Sequence, residues 1–385
     1  MNKRERVLRT LRREEIDYLP SQITFADRTR DAVIHESLGL SEDVTLDDYL
    51  ENHIVITLTK ADYPLFFRND TALMRELETD GYAKVDEENG VVYDSWGMGI
   101  KVGEDGFFCC FHPLQDQQTE EFAAKWMPER IFDAVTSPTL EERVRKWTPP
   151  PCDMPGNFDW MKRDIEEHGK ESFILPSGYF GIYERAYGMT SIPTLLENMA
   201  LNPSLVGELF DKITDYKSDI ARRMVEFDID VGHMGDDLGM QHTTFFSPET
   251  FRTLLLPCYN RLWGIYKDAG KLMSMHSCGC VEKFLPELVE AGLDLLEPVQ
   301  PCNNLERIKK DFGDRLTFWG GIDTQELLPY GTPDDIRRDA AQVIRTLGKG
   351  GGHIIGPSQE IMNDVPLENI IALIETIKEE RASAM

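Results

Sequence analysis

From Pro151 onward the chain alternates short apolar runs with helical patterns, and that rhythm limits what it can fold into more than any other feature. Residues 172–176 read as a strand, followed by helical stretches over 192–200 and 205–227. Strands are predicted again over 230–234, 271–275, 293–296, 316–319 and 353–355, each followed by a helical pattern. Ser247-Pro248-Glu249 announces one of these helices, with a capping residue ahead of a proline at the first helical position, and it is predicted to run unbroken to Ala269. At least five strand–helix units in succession predict a parallel sheet covered by helices. An open doubly wound sheet and a closed barrel both satisfy that spacing.

The N-terminal part is less regular. Apolar residues at Val7, Leu8 and Leu11 give an amphipathic helix over 4–13, and Ser21-Gln22-Ile23-Thr24-Phe25 reads as a first strand. Over 83–111 the turn signals Asn89-Gly90 and Asp105-Gly106 separate runs rich in Val, Tyr, Ile and Phe, which predicts a small antiparallel meander. A helical connecting region over 112–170 follows, and the whole of 1–385 is expected to form a single domain with the meander as an insertion.

Composition excludes several classes of function. A formal charge of −27 is incompatible with broad nucleic-acid binding, which needs clustered Lys and Arg to neutralise phosphates. Seven scattered cysteines do not make a disulfide framework and indicate a reducing compartment. Neither a bilayer-spanning apolar run nor a signal-peptide core is visible, so a soluble, cytoplasmic protein is expected. A homo-oligomer is compatible with all of this.

In either architecture the chemistry sits where strands end and the following loops begin. Polar residues at those exits are Asp236 and Asp237, His276 and Cys278, Glu297, Asp323, and Gln359 with Glu360. Five consecutive exits thus carry a carboxylate, imidazole, thiol or amide, and they converge on one rim if the sheet closes. His276-Ser277-Cys278 is the sharpest element. Residues i and i+2 leaving a strand point the same way, so an imidazole and a thiolate can chelate one ion, and that pair of donors suits Zn²⁺. The same triplet is compatible with a buried thiol beside a hydrogen-bonded imidazole. Asp236-Asp237, between Gly235 and Gly239, fits substrate positioning, metal binding or acid–base work, and equally a helix cap; Asp323 reads equally as a turn residue. The Gly348-Lys349-Gly350-Gly351-Gly352 run precedes a strand, so it reads as a helix stop rather than a phosphate cradle.

Taken together, Gly235-Asp236-Asp237-Leu238-Gly239, Ser247-Pro248-Glu249, His276-Ser277-Cys278-Gly279 and Phe318-Trp319-Gly320-Gly321-Ile322-Asp323 resemble the uroporphyrinogen decarboxylase superfamily in order and spacing. Gly331-Thr332-Pro333-Asp334-Asp335 and the C-terminal Gly351-Gly352-His353 to Asn369 region extend the resemblance. It implies a (β/α)₈ barrel of the TIM type. One branch of the superfamily decarboxylates a porphyrinogen without a cofactor, using an arginine-rich arm. Here only Arg28 and Arg30 follow the first strand, which speaks against that activity. The other branch contains zinc methyltransferases that work with a corrinoid protein, and its His-x-Cys matches His276 and Cys278. In its coenzyme M-directed members a third Cys ligand lies at the last strand's exit, where this chain has Gln359 beside Glu360.

The resemblance therefore implies a methyltransferase that moves a methyl group between a small methylated substrate, such as a methyl ether, and a corrinoid protein. Zinc is expected on His276, Cys278 and Glu360. Asp236, Asp237, Glu297 and Asp323 are expected as catalytic groups, and Arg28, Tyr179 and Gln359 as substrate contacts. A cofactor-free decarboxylase and a non-catalytic ligand- or corrinoid-protein-binding barrel are the alternatives.

Overall fold

Five short apolar runs lie side by side in parallel, each paired with the next along the chain. They are β7 (Val231–Gly235), β8 (Leu272–His276), β9 (Leu295–Val299), β10 (Thr317–Ile322) and β11 (His353–Pro357). β7, β10 and β11 are buried at every residue, as expected of parallel strands covered on both faces. This is a computed structural model, and the residues it describes are 1–26, 30–61, 71–103, 106–176, 178 and 180–382.

Three further segments close the sheet. Ser21 and Phe25 form parallel bridges with Ile355 and Ile361. β1 (Ile54–Thr57) pairs in parallel with β6 (Phe173–Pro176). The amide of His53 donates to Ser21 O, and the Gln22 side chain accepts from the amides of His53 and Ile54, which joins the first segment to β1. At the other seam, the amide of Ile174 donates to the Asp230 carboxylate and the amide of Gly235 donates to Gly178 O. Among the described residues, eight parallel segments thus make one ring, a (β/α)₈ barrel. The predicted first strand survives only as two bridges. β1 was not foreseen, because four residues followed by a long insertion leave no rhythm to read.

Helices form where the sequence supplies caps. Ser247 Oγ accepts from the amide of Thr250, and Thr332 with Asp335 makes a capping box at the start of the helix Pro333–Gly348. The expected unbroken helix after Ser247 instead contains a π-turn over Phe251–Leu255 before continuing as Leu256–Asp268. Pro257 explains it: a proline lacks the amide hydrogen and crowds the carbonyl four residues back, and the wider turn absorbs both effects.

Between β1 and β6 the chain leaves the barrel and builds an antiparallel sheet from β2 (Ala83–Asp86), β3 (Val91–Asp94), β4 (Gly99–Gly103) and β5 (Gly106–Phe111). Asp105 of the anticipated second turn lies outside the described residues. Tyr93 stacks on Trp126, and Trp96 stacks on Trp147, so the insertion shares the main apolar core. A buried ion pair pins it to the barrel: Arg185 Nη1 donates to Asp94 Oδ2 at 2.8 Å, with both side chains fully shielded from solvent.

At the opposite end, Val7 and Leu11 of the N-terminal helix Lys3–Arg12 join a cluster with Ile54, Phe173, Val231, Leu295 and Ile354. That plug closes the barrel at the N-terminal ends of its strands and leaves the C-terminal ends for a site. Among the described residues no helix is long and apolar enough to cross a membrane.

Candidate functional site

Register decides which exit residues meet. Gly235 stands beside His276 across β7 and β8, and His276 stands beside Glu297 across β8 and β9. The last residue of β8 therefore lies beside Glu297, in the middle of β9, and next to the end of β7, which Asp236 and Asp237 follow.

His276 Nδ1 donates to Glu297 Oε2 at 2.7 Å. Its Nε2 lies 3.5 Å from Cys278 Sγ and 3.6 Å from Asp237 Oδ1. Asp237 Oδ1 also accepts the amide of Cys278 at 2.7 Å, which draws the thiol-bearing turn onto the acid. The turn is tight because a Cβ on Gly279, at φ +85°, would come within 2.3 Å of Gly239 backbone. Asp237, His276 and Cys278 form a set whose donor atoms all lie within 4.8 Å of one another. The side chain of His276 is 14% exposed and that of Asp237 33%, so the set faces a solvent-accessible mouth rather than a dry core.

The electrostatics follow from this packing. Burial disfavours the imidazolium of His276, but Glu297 and Cys278 outweigh it and hold its pKa well above the usual histidine value. Burial pushes the Cys278 thiol up, partly offset by His276. Glu184, on the helix Tyr183–Thr190, is raised well above the carboxylate range by burial and by the acids Asp237 and Asp236, and its Oε1 accepts from Tyr187 at 3.0 Å.

Several expected site residues stand elsewhere. Asp236, anticipated as a catalytic acid, is fully buried. Its carboxylate accepts from the amides of Ile182, Tyr183 and Glu184 and from Tyr259 Oη at 2.8 Å. It is an anchor for the start of the helix Tyr183–Thr190, and Gly181 lets that helix approach, since a Cβ there would lie 2.9 Å from the Asp236 carboxyl carbon. Asp323 accepts from the amide of Gln325 at 2.8 Å and is engaged in its own turn. Glu297 reaches His276 rather than open space. Glu360, the anticipated third ligand, is not in the donor set; Asp237 takes that place. Gln359, at the exit of β11, donates from Nε2 to Cys278 Sγ at 3.5 Å. Arg28 and Tyr179 lie outside the described residues.

Sequence reasoning missed Glu184, Tyr187 and Gln300. The first two sit inside a helix with no exit signal. Gln300 directly follows β9, which extends three residues beyond its expected end at 296, so the exit rule stopped at Glu297 instead.

Comparison with known proteins adds an independent line. The family model described as uroporphyrinogen decarboxylase (URO-D) matches residues 177–380. A methylated-thiol–coenzyme M methyltransferase of Methanosarcina mazei is 24% identical over 253 residues, which is 60% of this chain and 64% of that protein. A methylcobamide:CoM methyltransferase of Methanosarcina barkeri is 26% identical over 64% of this chain and 68% of its own length. A uroporphyrinogen decarboxylase of Chlorobium phaeobacteroides is 24% identical over 47% of this chain, so the match spans 51% of that relative. A solved structure, a methyltransferase from Methanosarcina mazei, superposes with a TM-score of 0.60 over 98% of this chain and 99% of its own, at 19% identity. That likeness carries the barrel fold across the full length.

Proposed function

Because the chain belongs to the uroporphyrinogen decarboxylase family, we propose that it is a zinc-dependent methyltransferase moving a methyl group between a small methylated substrate, such as a methyl ether, and a corrinoid protein. The observation that carries this reading is the Asp237–His276–Cys278 set. Zinc–nitrogen and zinc–oxygen bonds of about 2.0–2.1 Å and a zinc–sulfur bond of about 2.3 Å, at tetrahedral angles, require donors roughly 3.3–3.6 Å apart. The N···S separation of 3.5 Å and the N···O separation of 3.6 Å fit that range, and all three donor atoms lie within 4.8 Å of one another.

Each residue has a definable task. Asp237, His276 Nε2 and Cys278 Sγ would hold the ion, and Glu297 fixes the imidazole by taking its Nδ1 proton in a hydrogen bond. Zinc bound there supplies a Lewis acid for the substrate heteroatom, which improves the leaving group. One sulfur with one nitrogen and one oxygen is a harder set than two thiolates and suits an oxygen-bound methyl group. Glu184, whose pKa burial and the neighbouring acids Asp237 and Asp236 push well above the usual carboxylate range, would offer a proton to the departing oxygen. The methyltransferase relatives named above support methyl transfer as the reaction class, and one of them acts, by its name, on methylcobamide.

The test is direct. Protein purified without added metal should carry stoichiometric zinc, measured by elemental analysis, and His276→Ala and Cys278→Ser should each abolish it. Methylated phenols and related ethers, mixed with a reduced corrinoid protein, should then change the cobalt absorption spectrum. Zinc-free protein that decarboxylates a porphyrinogen would overturn the proposal, and zinc-loaded protein inert with every methyl donor would leave a binding barrel.

A further inference from the structure

Cys278 has more hydrogen-bond donors around its sulfur than a structural thiol requires. Gln300 Nε2 lies 3.5 Å from Sγ, and Gln359 Nε2 lies 3.5 Å from it as well. Both amide orientations are fixed by their other partners. Gln300 Oε1 accepts the amide of Gly279 at 2.7 Å while its Nε2 also donates to Ser358 O at 3.2 Å. Gln359 Oε1 accepts the amide of Glu360 at 3.0 Å. Flipping either carboxamide would set its nitrogen against an N–H and its oxygen against the sulfur. The sulfur is therefore met by two N–H groups, and Gln300 ties together the exits of β8, β9 and β11.

We propose that Gln300 and Gln359 are positioning residues that form an amide clamp on Cys278. The clamp holds the sulfur toward Asp237 and His276 and draws charge from its thiolate. This inference rests on the zinc reading above and deepens it by specifying how a single-thiolate set is tuned. Hydrogen bonds to an anionic sulfur stabilise charge that would otherwise be donated to the ion. With less charge received from its one sulfur, the ion is a stronger Lewis acid. That bias favours an oxygen-bound methyl substrate over a thioether. The two carboxamides are unequal: Gln359 is exposed and bonded locally, whereas Gln300 is partly buried and bonded to two other loops. Gln300 should dominate.

The clamp can be separated from ordinary loop packing. Asn303 grips the same turn, with Nδ2 donating to Gly279 O and Oδ1 accepting from Val281, and no hydrogen bond joins it to Cys278 Sγ. Metal-free full-length protein is titrated with cobalt(II) chloride, and the thiolate-to-cobalt charge-transfer band is recorded for wild type, Gln300→Met, Gln359→Leu and Asn303→Ala. Removing an N–H donor makes the thiolate easier to oxidise, so the band should move to longer wavelength in both glutamine variants, further for Gln300→Met. Asn303→Ala should leave its position unchanged. Gln359→Leu, at an exposed site, keeps the test valid if Gln300→Met does not fold. Cobalt binding with an unmoved band in the glutamine variants, or an equal shift in Asn303→Ala, refutes the clamp and leaves the zinc reading intact. Wild-type protein that binds no cobalt refutes both.

Discussion

Two groups of charged side chains lie on either side of the β7 exit, and they are built on opposite principles. Behind the strand, Asp236 accepts four hydrogen bonds in full burial, and Asp94 meets Arg185 with no exposure on either partner. In front of it, Asp237, His276 and Cys278 share a mouth that solvent reaches, with donor atoms crowded within 4.8 Å. The acids behind are fully committed to backbone amides, a phenol or a guanidinium. The groups in front are also partnered within the protein, yet they bring one oxygen, one nitrogen and one sulfur donor together where solvent reaches. Adjacent residues in the chain, Asp236 and Asp237, fall into different categories because the loop after β7 turns Asp236 onto the amides of Ile182, Tyr183 and Glu184 and Asp237 onto the amide of Cys278.

This contrast predicts that variants behind the strand lose stability and keep metal, whereas those in front do the reverse. The largest loss is expected for Arg185→Met, which leaves the buried Asp94 carboxylate uncompensated. Denaturant unfolding should show a decrease of about 3–5 kcal/mol. Asp236→Ala should come next, at about 2–3 kcal/mol, since three backbone amides and Tyr259 lose a charged acceptor. Its zinc content per folded molecule should match wild type, and a loss of zinc as complete as that in Cys278→Ser would erase the distinction between the two groups. Smallest in stability is Glu297→Gln, with an unfolding change under about 1 kcal/mol. Its zinc affinity in chelator competition should nevertheless fall about 10- to 100-fold, because His276 loses its anionic partner. A stable Glu297→Gln protein with unaltered affinity would show that the imidazole needs no such orientation.

The legibility of the sequence follows the same division. From β6 onward each strand is a compact apolar run flanked by helix caps, and those local signals located every strand of the C-terminal half, with the ends of β9 and β10 running three residues beyond the expected ones. The N-terminal half gave fewer such signals. β1 is four residues long and separated from its neighbour β6 by more than a hundred residues, so only the finished ring identifies it as a barrel strand. At the site, His276 and Cys278 were recognisable from their spacing. Their partner Asp237 was recognisable as an acid at a strand exit, although Glu360 had been expected in its place.

By itself the sequence determined the α/β alternation, the exits that carry chemistry, and the His-x-Cys pair, because propensity, capping and alternation act over a few residues. Tertiary structure alone decided that Asp236 is an anchor, that Asp237 joins His276 and Cys278, and that Gln300 reaches the sulfur across two loops. Those outcomes depend on strand register and on the close approach permitted at Gly181 and Gly279. Distances between segments remote in the chain are set by how the whole barrel packs, and no local pattern encodes them.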